Sequence, residues 1–347
     1  MRVRYILRTI EQIRYLRLTI RRYGDSLKKG KYFMFNGYRA LSNDSSESLN
    51  RAKVYFEKTK KLTKIDVLAM KINNTRYFYN SNKNSSEEYD AVYTANNFDK
   101  TREIKLFSFS ENKILTICTN ENERKKQIEQ YENFGTAYNM PRVTPKDKYS
   151  NSYEIAMVDL LPVPDVILAF EEIADSIIRF NFDSNKFEKA SVEKLIELDC
   201  YDEMNSLLGD LVSKIDESLL QTEIPVCIQH GDLSKDNLIY GLSENKESFW
   251  WIDWEHASKR VFFYDYFFYV LNSTMYSDET TYQSYMSQEC DLVLEKFFNH
   301  FGLKFDADRK KDYFLIFAIV FLKERVCDSV KINALKKYIS LINEKFI

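Results

Sequence analysis

The sequence predicts an α+β protein in two lobes, a small antiparallel sheet followed by a mostly helical region, with a helical appendage in front. Three observations lead there. Between residues 89 and 163 short β-like runs follow one another with a single charged helix among them. From residue 164 to 347 apolar side chains recur at a helical period. Ahead of both, residues 1–88 open on a basic amphipathic helix and close on a polar run.

In the appendage, Val3, Ile6, Leu7, Ile10, Ile13, Leu16 and Ile20 stand close to a 3.6-residue period, and arginines fill most of the other faces. Such a stripe serves either an anionic membrane surface or packing on the chain's own body or a second subunit, and burial against the body is the expectation here. Ser42–Ser48 reads as a loop and N-cap, with a helix following to about Lys61. The polar run Asn80–Glu88 ends the appendage. Tyr89–Thr94, Glu103–Phe109 and Lys113–Cys118 then read as strands, the last two joined by the turn Ser110-Glu111-Asn112. A charged helix covers about Asn122–Phe134 and ends at Gly135. Two further strands fall at Pro141–Thr144 and Tyr153–Leu161, and Pro162 and Pro164 stop the second and open a helix. Beyond it, Phe170, Ile173, Ala174 and Ile177 mark one buried stripe, and Leu207, Leu208, Leu211 and Ile215 a second. Two strand-like pieces, Val226–Gln229 and Phe249–Ile252, interrupt the helices, and each runs at once into acidic residues.

Hydrophobic residues make up 44% and charged residues 29% of the 347, a globular rather than a disordered composition. No run approaches 18 uninterrupted apolar residues, which argues against a membrane span, and arginines scattered through the first apolar positions do not resemble a signal peptide. The five cysteines, Cys118, Cys200, Cys227, Cys290 and Cys327, are odd in number and far apart, so neither a disulfide framework nor a zinc site is expected. A reduced, cytoplasmic setting follows, with contact to the inner face of a membrane through residues 2–23 as the open question. Residues 1–31 carry a net +8 and the remainder −10. An acidic body argues against nucleic acid as a partner.

The two strand-to-acid junctions carry the chemistry. The first reads His230-Gly231-Asp232-Leu233-Ser234-Lys235-Asp236-Asn237, and the second Ile252-Asp253-Trp254-Glu255. Phosphoryl transfer needs a carboxylate against the attacking hydroxyl and oxygen ligands for magnesium. An Asp, an Asn five residues on, and an Asp after another strand meet that need. These residues resemble the aminoglycoside phosphotransferase and choline kinase-like family, whose catalytic loop reads His-Gly-Asp with Asn five positions past the Asp. The resemblance implies a bilobal protein-kinase-like fold, with Asp232 as catalytic base, Asn237 and Asp253 as magnesium ligands, and ATP as cofactor. It also implies that His230 braces the loop and that Asp265 is a second, structural aspartate. The likeness covers about residues 89–300 and is absent from residues 1–88. Trp250, Trp251 and Trp254 are expected in the core or its walls. Lys235 and Arg260 are candidates either for a phosphate or for a solvated surface.

The chain departs from the family pattern in two places. Kinase-like proteins place a lysine on the third strand, paired to a glutamate of the next helix. Here Thr116 stands at that position, and the loop from Asn96 to Arg102 contains no glycine. Lys105 on the neighbouring strand is the expected replacement, reaching Glu129, or else Glu132, of the helix. Two functions follow. The first is an ATP- and magnesium-dependent kinase acting on a hydroxyl of a small molecule. Its acceptor is a sugar or precursor of cell-surface glycan synthesis, because the run from Asp253 to Arg260 and on to Asp265 looks like bacterial proteins of capsule and lipopolysaccharide assembly. The second is a non-catalytic kinase-like binding module.

Overall fold

The computed structural model describes residues 2–35, 40–56, 78–94, 103–146, 148–181, 187–198, 202–327 and 332–347. The extension of the second helix to Lys61, the glycine-free loop 96–102 and Cys200 lie outside them. The protein is a mixed α+β structure, with an antiparallel sheet in its N-terminal region and helices in its C-terminal region. It divides into two compact units. The first comprises Met1–Glu132, Pro141–Leu161 and Gly241–Ser248, and the second Asn133–Met140, Pro162–Tyr240 and Phe249–Ile347.

The first unit contains α1 (Arg2–Arg22), β1 (Gly30–Phe35), β2 (Ala40–Asn43), α2 (Ser46–Phe56), β3 (Tyr79–Asn80), β4 (Ala91–Thr94), β5 (Ile104–Ser108) and β6 (Lys113–Ile117). It continues with α3 (Glu121–Phe134), β7 (Val143–Lys146), β8 (Ser152–Ala156) and β9 (Asp159–Leu160). Eight of these strands form one antiparallel sheet in the order β3-β1-β2-β4-β5-β6-β8-β7. Alternation along each strand sends side chains to opposite faces. Met34, Val92 and Leu106 join one apolar cluster with Leu16 and Ile20 of α1. Phe35, Ala91 and Phe107 join the other, with Ala52 and Phe56 of α2.

Residues 1–88 are therefore not a helical appendage beside the sheet. They supply three of its strands, and β2 pairs with β4 so that Leu41 lies opposite Val92, across the expected boundary at residue 88. Tyr32 and Met34 alternate with Phe33 and Phe35 over too few residues to stand out between basic segments. The amphipathic stripe of α1 divides. Leu16 is fully buried and Ile20 2% exposed, Ile13 packs beside them, and Ile10 is 56% exposed. The side chain of Ile6 lies outside the described residues. Full burial of a Leu or Ile is worth about 1.5–3 kcal/mol, enough to fix the inner half of this helix to the sheet.

The second unit opens with α4 (Val166–Phe180), whose N-cap Asp165 accepts a hydrogen bond from the Ile167 amide, one residue beyond the expected start. β10 (Glu188–Ser191), α5 (Val192–Ile196), α6 (Asp202–Val212), β11 (Glu223–Gln229), β12 (Leu238–Ser243), β13 (Lys246–Trp251) and β14 (Ser258–Val261) follow along the chain, with the Gly241–Ser248 stretch of β12 and β13 belonging to the first unit. Then come α7 (Tyr264–Met275), α8 (Glu279–Tyr285), α9 (Gln288–His300), α10 (Lys310–Cys327) and α11 (Ile332–Lys345). α10 is the central helix of this unit: Phe314, Leu315, Ile316, Phe317, Ala318 and Ile319 are all fully buried, apolar on every face. Among the described residues no helix is long and apolar enough to cross a membrane. β11 pairs with β10 and β14, and its C-terminal end delivers the chain to His230.

Candidate active site

The two sequence junctions meet at Ile252. Its amide donates to the carbonyl of Asn237 at 3.0 Å, and its own carbonyl accepts from Nε2 of His230 at 2.8 Å. The residue ahead of Asp253 is thus held from both sides by the loop that carries Asp232. His230 is fully buried, and its Nδ1 accepts the Asp232 amide at 3.3 Å, so the ring is the neutral Nε2–H tautomer. Burial pushes its pKa down to about 4, which keeps it neutral and unsuited to proton transfer at neutral pH. The expected bracing role agrees with these contacts.

Asp265, at the start of α7, is buried and accepts the His230 amide at 2.6 Å and the Gly231 amide at 2.8 Å. Burial raises its pKa to about 6, opposed by those two amides. Gly231 has φ +84°, a left-handed backbone that L side chains rarely adopt. A Cβ there would lie 2.3 Å from Nη1 of Arg260 and 2.5 Å from the His256 carbonyl, so the loop needs glycine for space as well.

Asn237 is 8% exposed, and its Nδ2 donates to the Asp232 carbonyl at 2.7 Å, leaving Oδ1 as the donor for a cation. Asp253 is exposed and left-handed, with φ 66° and ψ 60°, a strained backbone for a non-glycine residue. The Asp232 side chain is 36% exposed, and partial burial raises its pKa, with Arg325 pulling the other way. Asp232 and Asn237 therefore lie in contact, and Asp253 follows Ile252, which is bonded to Asn237 and His230 of the same loop.

The other predicted residues find different settings. Lys105 lies in the first unit, on the face opposite Ile104 and Leu106, with Thr116 and Tyr93 as its cross-strand neighbours. Among the described residues its carboxylate partner is Glu103 at 3.0 Å, not Glu129. Glu103 in turn accepts Nε2 of Gln127 on α3 at 3.2 Å, while Glu129 and Glu132 are exposed on that helix. A carboxylate two residues away, just ahead of β5, reaches the lysine with less chain to order than a helix glutamate does. If Lys105 contributes to nucleotide binding, Lys105→Met should raise the apparent Kd for ATP about tenfold with an unchanged melting temperature. Equal ATP titrations of the two proteins would remove it from the site.

Arg260 and Lys235 already have partners. Arg260 Nε donates to both carboxylate oxygens of Glu324 at 2.8 and 3.0 Å, and Lys235 pairs with Asp278. Trp250, Trp251 and Trp254 are buried in the core, as expected. Arg325 and Glu324 are not marked in the sequence, because nothing in an apolar helix shows one charge to face Asp232, some 90 residues earlier, and the next to pair with Arg260. A cavity of about 370 Å³ in the first unit, lined among others by Lys113, Arg142, Glu154 and Asp159, includes none of the predicted site residues.

No protein-family model and no curated protein matches the sequence. Several solved structures are similar. A ternary complex of a thermostable aminoglycoside phosphotransferase APH(4)-Ia with AMP-PNP and hygromycin B shares 12% identity over 74% of this chain and 92% of its own, with a TM-score of 0.46. The choline kinase LicA from Streptococcus pneumoniae shares 15% over 74% and 94%, with a TM-score of 0.43. The amicoumacin kinase hAmiN, bound to AMP-PNP and calcium, shares 11% over 75% and 89%, also at 0.43.

Proposed function

We propose that the chain is a phosphotransferase that moves the terminal phosphoryl group of ATP to a hydroxyl of a small molecule. The observation that carries this reading is Ile252, whose two backbone groups tie the Asp253 loop to the loop of Asp232 and Asn237. Asp232 accepts the hydroxyl proton as its oxygen attacks the terminal phosphorus. ADP leaves, and the proton passes from the carboxyl to solvent.

Asn237 Oδ1 and the Asp253 carboxylate suit magnesium, a hard cation that takes one or two protein oxygens and completes its shell with phosphate and water. Bound there, magnesium would neutralise part of the nucleotide's phosphate charge.

A thermal-shift titration tests the reading. ATP at a hundred times its Kd should stabilise the protein by about 2.7 kcal/mol, and only with magnesium present. Asp253→Ala should lose that metal-dependent gain while melting normally without ligand. The second reading, a non-catalytic module, is favoured by Thr116, which is fully buried at the usual lysine position. It predicts no stabilisation, or stabilisation indifferent to magnesium.

The acceptor we propose is a sugar or precursor of cell-surface glycan synthesis, supported by the likeness of the run from Asp253 to Asp265. A peripheral membrane contact through α1 would suit such work. Its outward side carries Ile10 and Leu18, 56% and 51% exposed, together with exposed Arg14, Arg21 and Arg22. The full chain should sediment with vesicles containing phosphatidylserine, less so as salt is raised, and not with phosphatidylcholine alone. Ile10→Glu combined with Leu18→Glu should abolish the binding. Equal sedimentation of that variant would exclude this face.

A further inference from the structure

We propose that Arg325 recognises the acceptor, and that the acceptor carries a negative charge, a carboxylate or a phosphate, beside the hydroxyl that is phosphorylated. The proposal rests on the phosphotransferase reading above. Arg325 lies in the last turn of α10, with Nη2 3.6 Å from Oδ1 of Asp232 and its guanidinium carbon 5.4 Å from the centre of the Phe321 ring. Its side chain is 31% exposed. A charge-assisted hydrogen bond would be about 2.7–2.9 Å, so Arg325 attracts Asp232 without being locked to it. Among the described residues it has no hydrogen-bond partner.

The neighbouring charges are arranged differently. Arg260 is held by Glu324, Lys235 by Asp278, and His256 lies 3.3 Å from Glu255. Arg260 and Lys235 each have a carboxylate of their own, and the His256 ring has Glu255 beside it, whereas the carboxylate facing Arg325 is the proposed catalytic base. The two oxygens of Asp232 also point to different neighbours. Oδ2 lies 3.5 Å from Nδ2 of Asn237, the side of the proposed magnesium, and Oδ1 lies toward Arg325. An acceptor hydroxyl must approach Asp232 with the nucleotide on the Asn237 side, which leaves Arg325 beside the acceptor. A guanidinium there opposes a cationic acceptor and offers paired N–H groups to a planar carboxylate or a phosphate. When such a group arrives, Arg325 exchanges its loose pairing with Asp232 for the ligand, and the base is released toward the hydroxyl.

The test uses the full chain with magnesium and ATP, and four hexoses that differ chiefly in charge: glucosamine, glucose, glucuronate and a glucose monophosphate. ADP release and the thermal shift of the ADP complex are measured for each. One anionic sugar should exceed glucose by at least about tenfold in kcat/KM, or in affinity by thermal shift, and glucosamine should fall below it. Whether the carboxylate or the phosphate arm responds identifies the anion. Arg325→Gln should raise KM for that sugar about tenfold or more, with a smaller change in kcat, and Arg325→Lys should restore part of it. A preference for glucose or glucosamine, an unmoved preference in Arg325→Gln, or no response to either anion would overturn the proposal. Failure of ATP and magnesium to stabilise the wild-type chain would instead reject the phosphotransferase reading, and the acceptor proposal with it.

Discussion

Asp232→Asn is expected to reduce turnover by about 10²–10⁴-fold, the usual contribution of a positioned general base, while the apparent Kd for magnesium and ATP changes by less than about twofold. The asparagine keeps the shape of the side chain, and the loop is held by backbone contacts that the substitution leaves in place: the Asp232 amide on His230 and its carbonyl on Asn237. What disappears is the basic oxygen. The pH profile offers a second reading of the same residue. Burial raises the Asp232 pKa, so the acid limb of kcat/KM should lie above the ordinary aspartate value of about 4, and it should vanish from the residual activity of the variant. Near-normal turnover, or an acid limb that persists in Asp232→Asn, would move the base elsewhere.

The second large effect is expected at Asp265. Asp265→Ala strands the amides of His230 and Gly231 in a buried site, at about 1–3 kcal/mol each, so a loss of about 2–6 kcal/mol should appear in denaturant melts. Asp265→Asn keeps an acceptor oxygen and isolates the charge. Here two neighbours shift in opposite directions, His230 down to about 4 and Asp265 up to about 6. From pH 6.5 down to about 4 the unfolded histidine binds a proton that the folded one refuses, so stability is lost as pH falls. From about pH 6 down to 4 the folded aspartic acid holds a proton that the unfolded one does not, so stability is gained. The two trends offset one another in the native chain. Asp265→Asn removes the gain, and its stability should fall more steeply than wild type's between pH 6.5 and 4, by about 2–3 kcal/mol. Parallel pH profiles for the two proteins would refute this coupling.

The contrast between Asp265 and Arg325 shows what a sequence makes legible. His230, Asp232, Asn237, Asp253 and Asp265 lie within 36 residues, and their spacing is set by strands and turns too short to allow much variation. Local geometry therefore writes itself into local order. Arg325 reaches Asp232 from α10, where the intervening helices decide which charge faces the loop, and no spacing records that. The same holds in the first unit. Parity along β5 is enough to set Lys105 opposite Ile104 and Leu106, but its partner depends on side-chain reach, and the carboxylate it meets among the described residues is Glu103, just ahead of its own strand. β1 and β2 stayed hidden because a strand of four to six residues is recognised by its neighbours in space, and theirs are β3 and β4.

The sheet unit also bears on how the chain folds as it is made. Its last piece, Gly241–Ser248, is separated from Leu161 by the Pro162–Tyr240 stretch of the helical unit, and through it Gly241 and Leu242 pair with Leu160 and Asp159. A ribosome adding about 5–20 residues per second needs roughly 4–16 s to cross that gap. For that interval β9 waits without its partner while residues of the other unit emerge. Synthesis order and folding order therefore part company here: the N-terminal unit begins first, yet cannot finish until Asp232 and Asn237 have already left the tunnel.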